Sequence, residues 1–140
     1  MATLSVRYIV DDVDDAIAFY CRHLGFEEAM HPAPVFAILV RGDLRLLLSS
    51  PVGPGGPGGG SQSMPDGTRP RPGGWNRISL EIEDLAAKVE SLRAAGVRFR
   101  NEIVTGVGGR QILVEDPSGN PVELFEPTLP EARLTPPGPA

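Results

Sequence analysis

One cysteine, two histidines and one tryptophan are spread over 140 residues. The lone thiol, Cys21, excludes an intrachain disulfide, and no apolar leader follows Met1, so a reducing cytoplasm is the expected setting. No run approaches the roughly 20 apolar residues that a membrane helix requires, which predicts no membrane partner. Basic residues are in the minority: 13 Lys and Arg stand against 18 Asp and Glu, a formal charge of −5. A nucleic-acid surface needs a basic stripe, so no nucleic-acid partner is expected. What the chain has in ordinary measure is hydrophobic content, 41%, enough for one domain or for two small similar modules sharing a core. Glycine and proline are in excess, 32 residues together, and they cluster in one place.

The most informative stretch is Arg110 to Glu126. Two runs rich in Ile, Leu, Val and Phe flank Asp116-Pro117-Ser118-Gly119-Asn120, whose residues favour turns by fixing φ, allowing positive φ, or bonding back to the backbone. The pattern predicts a β-hairpin. If the five turn residues join the strands directly, Leu113 faces Glu123 and Gln111 faces Phe125. Alternation then puts Ile112, Val114, Val122 and Leu124 on a wholly apolar face that should carry a helix. The other face mixes a carboxylate and an amide with apolar groups, as ligand-lined surfaces do.

Residues 1–50 read as a first module. Leu4 to Val10 is a strand, and Asp12 is an N-cap. Val13, Ala16, Ile17, Tyr20 and Leu24 follow helical spacing to Gly25. Phe26 to Met30 is a short second strand, and a hairpin across Gly42-Asp43 pairs Val40 with Arg45, Ile38 with Leu47 and Phe36 with Ser49. Residues 51–74 break the pattern with nine glycines and six prolines, a composition that reads as a linker, or as a lid over a pocket. Residues 75–127 repeat the first module: strand Arg77 to Ile82, N-cap Asp84, a helix ending at Gly96, and short strands before the hairpin. Asp12-Val13 and Gly25-Phe26 recur as Asp84-Leu85 and Gly96-Val97, at offsets of 72 and 71. Residues 128–140 read as a flexible tail. The fold class is therefore α+β, with two βαβββ modules.

The two modules, the segment Ala18-Phe19-Tyr20 through Leu24-Gly25-Phe26, and Asp116-Pro117-Ser118-Gly119-Asn120-Pro121-Val122-Glu123-Leu124 resemble the vicinal oxygen chelate superfamily over residues 4–127. Glyoxalase I, extradiol dioxygenases and bleomycin-resistance proteins belong to it. The resemblance implies a curled eight-stranded mixed sheet with helices on its convex face, and a homodimer whose pocket both chains line. Its enzymes hold a divalent metal at four strand positions. Carried onto this chain, those positions fall on Ser5, Leu47, Arg77 and Glu123, and only Glu123 is a ligand type. A catalytic metal takes three protein ligands, so neither a metal nor any other cofactor is expected.

Alternation offers a different lining for the hollow: Phe36, Ile38, Arg45 and Leu47 from the first module, and Trp75, Arg77, Gln111, Leu113, Glu123 and Phe125 from the second. Arg77 or Arg45 is expected to pair with Glu123, since a lone shielded carboxylate is costly. Trp75, at the end of the linker, is placed to staple the next strand or to stack on a planar guest. His23, near the end of the first helix, reads as a surface residue, and His31 as part of a Met-His-Pro loop at a pocket rim. The resemblance, with no nucleophile–base pair in view, implies non-catalytic sequestration of a bulky natural-product antibiotic, bleomycin-type or polycyclic aromatic. The alternative is a metal-dependent lyase, isomerase or dioxygenase using Glu123, and a third class is a dimeric interaction module with no small ligand.

Overall fold

The computed structural model describes residues 4–133. In the first half, β1 (Leu4–Ile9), α1 (Val13–His23), β2 (Glu27–Ala33), β3 (Phe36–Arg41) and β4 (Leu44–Ser49) follow in order. They form one sheet in the order β1-β4-β3-β2, with β1 parallel to β4 and the other pairs antiparallel. The turn at Gly42-Asp43 sets the register: Val40 faces Arg45, Ile38 faces Leu47 and Phe36 faces Ser49. Ala37, Leu39, Leu46 and Leu48 alternate onto the other face and are fully buried, with α1 packed on β3 and β4. The helix begins where the Asp12 carboxylate accepts from the Asp15 amide at 2.9 Å. It gives way to Gly25, whose φ of +74° a side chain would resist.

The second strand differs from expectation. It runs to Ala33, three residues past Met30, so His31 lies in a strand and not in a loop. β2 is the edge of its sheet, where Pro32 costs little because the outer side makes no ladder. Its pairing with β3 shifts register twice, and such irregular edges leave no clean alternation in the sequence to read.

In the second half, β5 (Ile78–Glu81), α2 (Leu85–Ala94), β6 (Arg98–Phe99), β7 (Val104–Thr105), β8 (Gly109–Glu115) and β9 (Pro121–Pro127) repeat the plan. The order is β5-β9-β8-β6, and β7 adds a fifth strand by pairing with β8. The Asp84 side chain caps α2 by accepting from Ala87 at 3.1 Å. The closing hairpin has the register its turn dictates, Leu113 opposite Glu123 and Gln111 opposite Phe125. Ile112, Val114, Val122 and Leu124 are fully buried, and α2 packs on β9. The fold is thus α+β, with a βαβββ module followed by a second to which β7 is added, nine strands among the described residues in place of eight. Of the expected tail, Pro130–Ala132 form a 3-10 turn, and the remainder after Arg133 lies outside the described residues.

The compact units do not divide at a single point. One comprises the chain through Gly74 together with Asp116–Asn120, and the other Trp75–Glu115 with the chain from Pro121. The turn of the last hairpin is therefore built into the first unit. Asp116 is its fully buried centre. The Tyr20 hydroxyl donates to Asp116 Oδ2 at 2.8 Å and the Asn120 amide nitrogen to the same oxygen at 3.0 Å. Oδ1 accepts from the backbone N–H groups of Ser118 and Asn120, both at 2.9 Å. Asn120 also donates to the Ile9 carbonyl at 2.8 Å, and the Asp11 N–H donates to Ser118 Oγ at 2.8 Å. Burial, then the neighbouring Asp116, holds the Tyr20 phenol well above its ordinary pKa, so it remains a donor.

The Gly/Pro-rich stretch is tied to the same unit at its middle. The Gly58 N–H donates to the Ser50 carbonyl at 2.8 Å, and the fully buried Ser61 hydroxyl reaches that carbonyl at 3.0 Å. The Gly59 carbonyl accepts from Ser49 Oγ at 2.6 Å and from the Arg7 guanidinium. A Cβ at Gly58 would overlap the Val35 carbonyl, so this approach requires glycine. Backbone groups and two serines order the segment, and hydropathy does not register either.

Candidate functional site

The open face of the second sheet gathers its polar groups around Glu123. That residue lies on β9 with Ser79 of β5 and Leu113 of β8 as its cross-strand partners. Its Oε1 accepts from Arg77 Nε at 3.2 Å and Nη2 at 2.9 Å, and its Oε2 from Ser79 Oγ at 2.9 Å. Gln111, two residues before Leu113 and so on the same face, orients its amide by this carboxylate. With its nitrogen turned inward it donates to the two oxygens at 3.0 and 3.1 Å. The Arg77 and Glu123 side chains are 30% and 16% exposed, so the pair is partly shielded from water. Arg77 also donates from Nη1 to the Trp75 carbonyl at 3.3 Å. Of the two arginines expected as partners for Glu123, Arg77 is the one the structure places there.

A second ion pair stands on the same face. Glu115 shares it with Gln111 and Leu113 by alternation. Its Oε2 accepts from Arg100 Nε at 2.9 Å, and Arg98 Nε lies 3.8 Å from its Oε1. The Arg100 guanidinium in turn lies over the indole of Trp75, 4.7 Å from the ring centroid. Phe125 is half-buried beside Gln111, and Leu113 is buried.

In the first unit, Phe36 and Ile38 on β3 and Arg45 and Leu47 on β4 share the face turned away from α1. Ile38 is buried, Phe36 and Leu47 are half-buried, and Arg45 is exposed across from Val40 and beside Ser5. Arg7 and Ser49, on the same face, are engaged by the Gly59 carbonyl. Of the histidines, His23 packs edge-on to Phe19 with ring centroids 5.6 Å apart. His31 has Glu28 at 3.3 Å and Asp14 at 3.9 Å. Burial, then Glu28 and Glu27, raises the Cys21 thiol above its ordinary pKa, which disfavours the thiolate.

The divalent metal that the resemblance implies can be tested against these residues. At least three protein ligands are needed. Ser5, Leu47 and Arg77 supply none, and both Glu123 oxygens are already taken by Arg77, Ser79 and Gln111. Among the described residues, no group of three or more His, Cys, Asp or Glu converges on a point. The residues do not fit such a metal. What the arrangement offers is a carboxylate neutralised in place, amide and hydroxyl donors beside it, and an indole at its edge.

Alternation puts Ser79, two positions after Arg77, on the same face, where it is the further donor to Glu123. Arg100 lies between two-residue strands, and no periodic signal marks it as a neighbour of Trp75. Replacing Arg77 with alanine is expected to cost about 1 kcal/mol in urea unfolding, the scale of a partly exposed charge-assisted pair. A loss no larger than that of an exposed arginine such as Arg45 would show the pair to be idle.

A family model described as the Glyoxalase/Bleomycin resistance protein/Dioxygenase superfamily matches residues 3–124. No curated protein sequence matches the chain. Among solved structures, a member of the glyoxalase/bleomycin resistance protein/dioxygenase superfamily from Sphaerobacter thermophilus is 28% identical with a TM-score of 0.69, covering 90% of this chain and 97% of that one. An antibiotic binding protein from Streptomyces is 22% identical at a TM-score of 0.67, with 91% and 97% covered. A fosfomycin resistance protein from Listeria monocytogenes is 21% identical at 0.65, with 96% and 97% covered. At those last two identities the likeness is one of fold alone.

Proposed function

Because the chain belongs to the glyoxalase/bleomycin resistance/dioxygenase superfamily, we propose that it binds and sequesters a bulky natural-product antibiotic, bleomycin-type or polycyclic aromatic, without turning it over. The fold by itself does not choose, since it carries both an antibiotic binding protein and a fosfomycin resistance protein. The side chains favour binding. The observation that carries the reading is the state of Glu123, the one ligand type left at the metal positions, held by Arg77, Ser79 and Gln111. A carboxylate so engaged is a poor general base and a poor metal ligand, while shape, desolvation and a few fixed polar groups suffice for sequestration.

The proposed contact set is Phe36, Ile38, Arg45 and Leu47 in the first unit, with Trp75, Arg77, Gln111, Leu113, Glu123 and Phe125 in the second. It includes a cytoplasmic homodimer with both chains lining each pocket. No helix among the described residues is long and apolar enough to cross a membrane.

Calorimetric titration with a bleomycin-type glycopeptide and with a polycyclic aromatic antibiotic tests the reading directly. One of them should bind at micromolar or tighter affinity, near −8 kcal/mol or beyond on the order-of-magnitude scale, and be recovered chemically intact. Conversion of the compound, or a stoichiometric divalent metal in the purified protein, would overturn it in favour of the metal-dependent alternative.

A further inference from the structure

Trp75 is 69% exposed, which is unusual for an indole in a folded chain. It is nonetheless held from two directions. Arg77 grips its carbonyl at 3.3 Å, and the Arg100 guanidinium covers one face of its ring at 4.7 Å. Arg100 is itself fixed: its side chain is only 15% exposed, its Nε donates to Glu115 at 2.9 Å, and its backbone N–H donates to the Leu113 carbonyl at 3.0 Å. Glu115, Leu113 and Gln111 alternate onto the face that holds Glu123. A large apolar ring kept in water by a half-buried, anchored cation is an arrangement that stabilises a surface for something else. The chain gains little from it alone, because an indole that is mostly exposed contributes little burial.

We infer that Arg100 is a positioning residue, which clamps the Trp75 indole by one face so that the other stacks on a planar aromatic guest that is neutral and not cationic. The charge preference follows from the ring's quadrupole. Its negative π cloud already attracts the guanidinium, so a second cation across the ring gains less and is repelled by the first. A neutral planar ring loses nothing by this and keeps its stacking. This rests on the reading of the second sheet's open face as a guest surface and adds the guest's shape and charge.

Because Trp75 is the sole tryptophan, its fluorescence reports this place and no other. Time-resolved anisotropy without ligand comes first. The indole should turn with the protein in the wild type, acquire a fast local component in Arg100→Gln, and regain restraint in Arg100→Lys. An indole as restrained in Arg100→Gln as in the wild type would overturn the clamp. Quenching titrations with acridone and 9-aminoacridine, tricycles alike in shape and different in charge, come second. Acridone should bind the wild type about fivefold more tightly, and the ratio should fall to about one in Arg100→Gln, the scale of one cation–π contact. Equal or tighter binding of 9-aminoacridine by the wild type overturns this inference and leaves sequestration standing. Binding of neither tricycle overturns the inference and also counts against the polycyclic half of the proposed function.

Discussion

Replacing Asp116 with alanine lowers the unfolding free energy by about 3 kcal/mol or more, as expected when several buried donors lose one shared acceptor. The Tyr20 hydroxyl, the Asn120 side-chain amide and the Asn120 and Ser118 N–H groups all point at this carboxylate. Asp116 is fully buried and so is Tyr20, so water replaces little of what is lost. Asp116→Asn keeps an oxygen and should lose about half as much; Tyr20→Phe removes one bond and should cost about 1 kcal/mol.

The pH dependence supplies a second readout. Burial raises the Asp116 carboxyl above the ordinary carboxylate value, and the donors from Asn120, Tyr20 and Ser118 oppose but do not cancel it. The folded state therefore holds this proton more tightly than the unfolded chain does. The contribution is complete below the unfolded pKa and is lost as pH rises through the folded one. In urea titrations run from about pH 3 to 7, the margin of wild type over Asp116→Asn should shrink as pH rises. A margin that widens with pH would mean that the donors outweigh burial, and the assignment would be reversed.

Leu124→Ala is the other large loss, about 2–5 kcal/mol for an aliphatic side chain deleted from a packed core. Leu124 is fully buried against Ile112, its cross-strand partner. The neighbouring change Glu123→Gln should cost only about 1 kcal/mol, because the amide oxygen still accepts from Arg77, the amide nitrogen can donate to the Ser79 hydroxyl in its place, and the side chain stays partly in water. Adjacent residues on opposite faces thus differ several-fold in what they contribute to stability. Thermal melts of the two variants check it, and a costlier Glu123→Gln would invert the facing of β9.

The features legible in the sequence are those set by local chemistry. Asp12 and Asp84 announced both helices because a short carboxylate satisfies the first free amides. The five-residue turn set the β8–β9 register, and that register, with alternation along Arg77, Ser79 and Glu123, brought the Arg77–Glu123 pair within view. The illegible features depend on partners far along the chain. Nothing near Asp116 signals Tyr20, 96 positions away, and nothing near Gly59 signals Arg7. Of the short strands expected before the last hairpin, β7 covers only Val104–Thr105, too short to fix its bounds from a period. Arg100 finds Trp75 only because its backbone is pinned at Leu113.

The membership of Asp116–Asn120 in the first unit has a consequence for biosynthesis. The Ile9 carbonyl is met by Asn120, 111 positions downstream, so the amino-terminal half cannot seal while the ribosome is still short of that codon. At roughly 5–20 residues per second, a nascent chain waits on the order of 5–20 s between exposing one group and making the other. For that interval the half-made protein carries an open seam that invites chaperones and proteases, and a transcript stopped before residue 120 yields a fragment with no means of closing it.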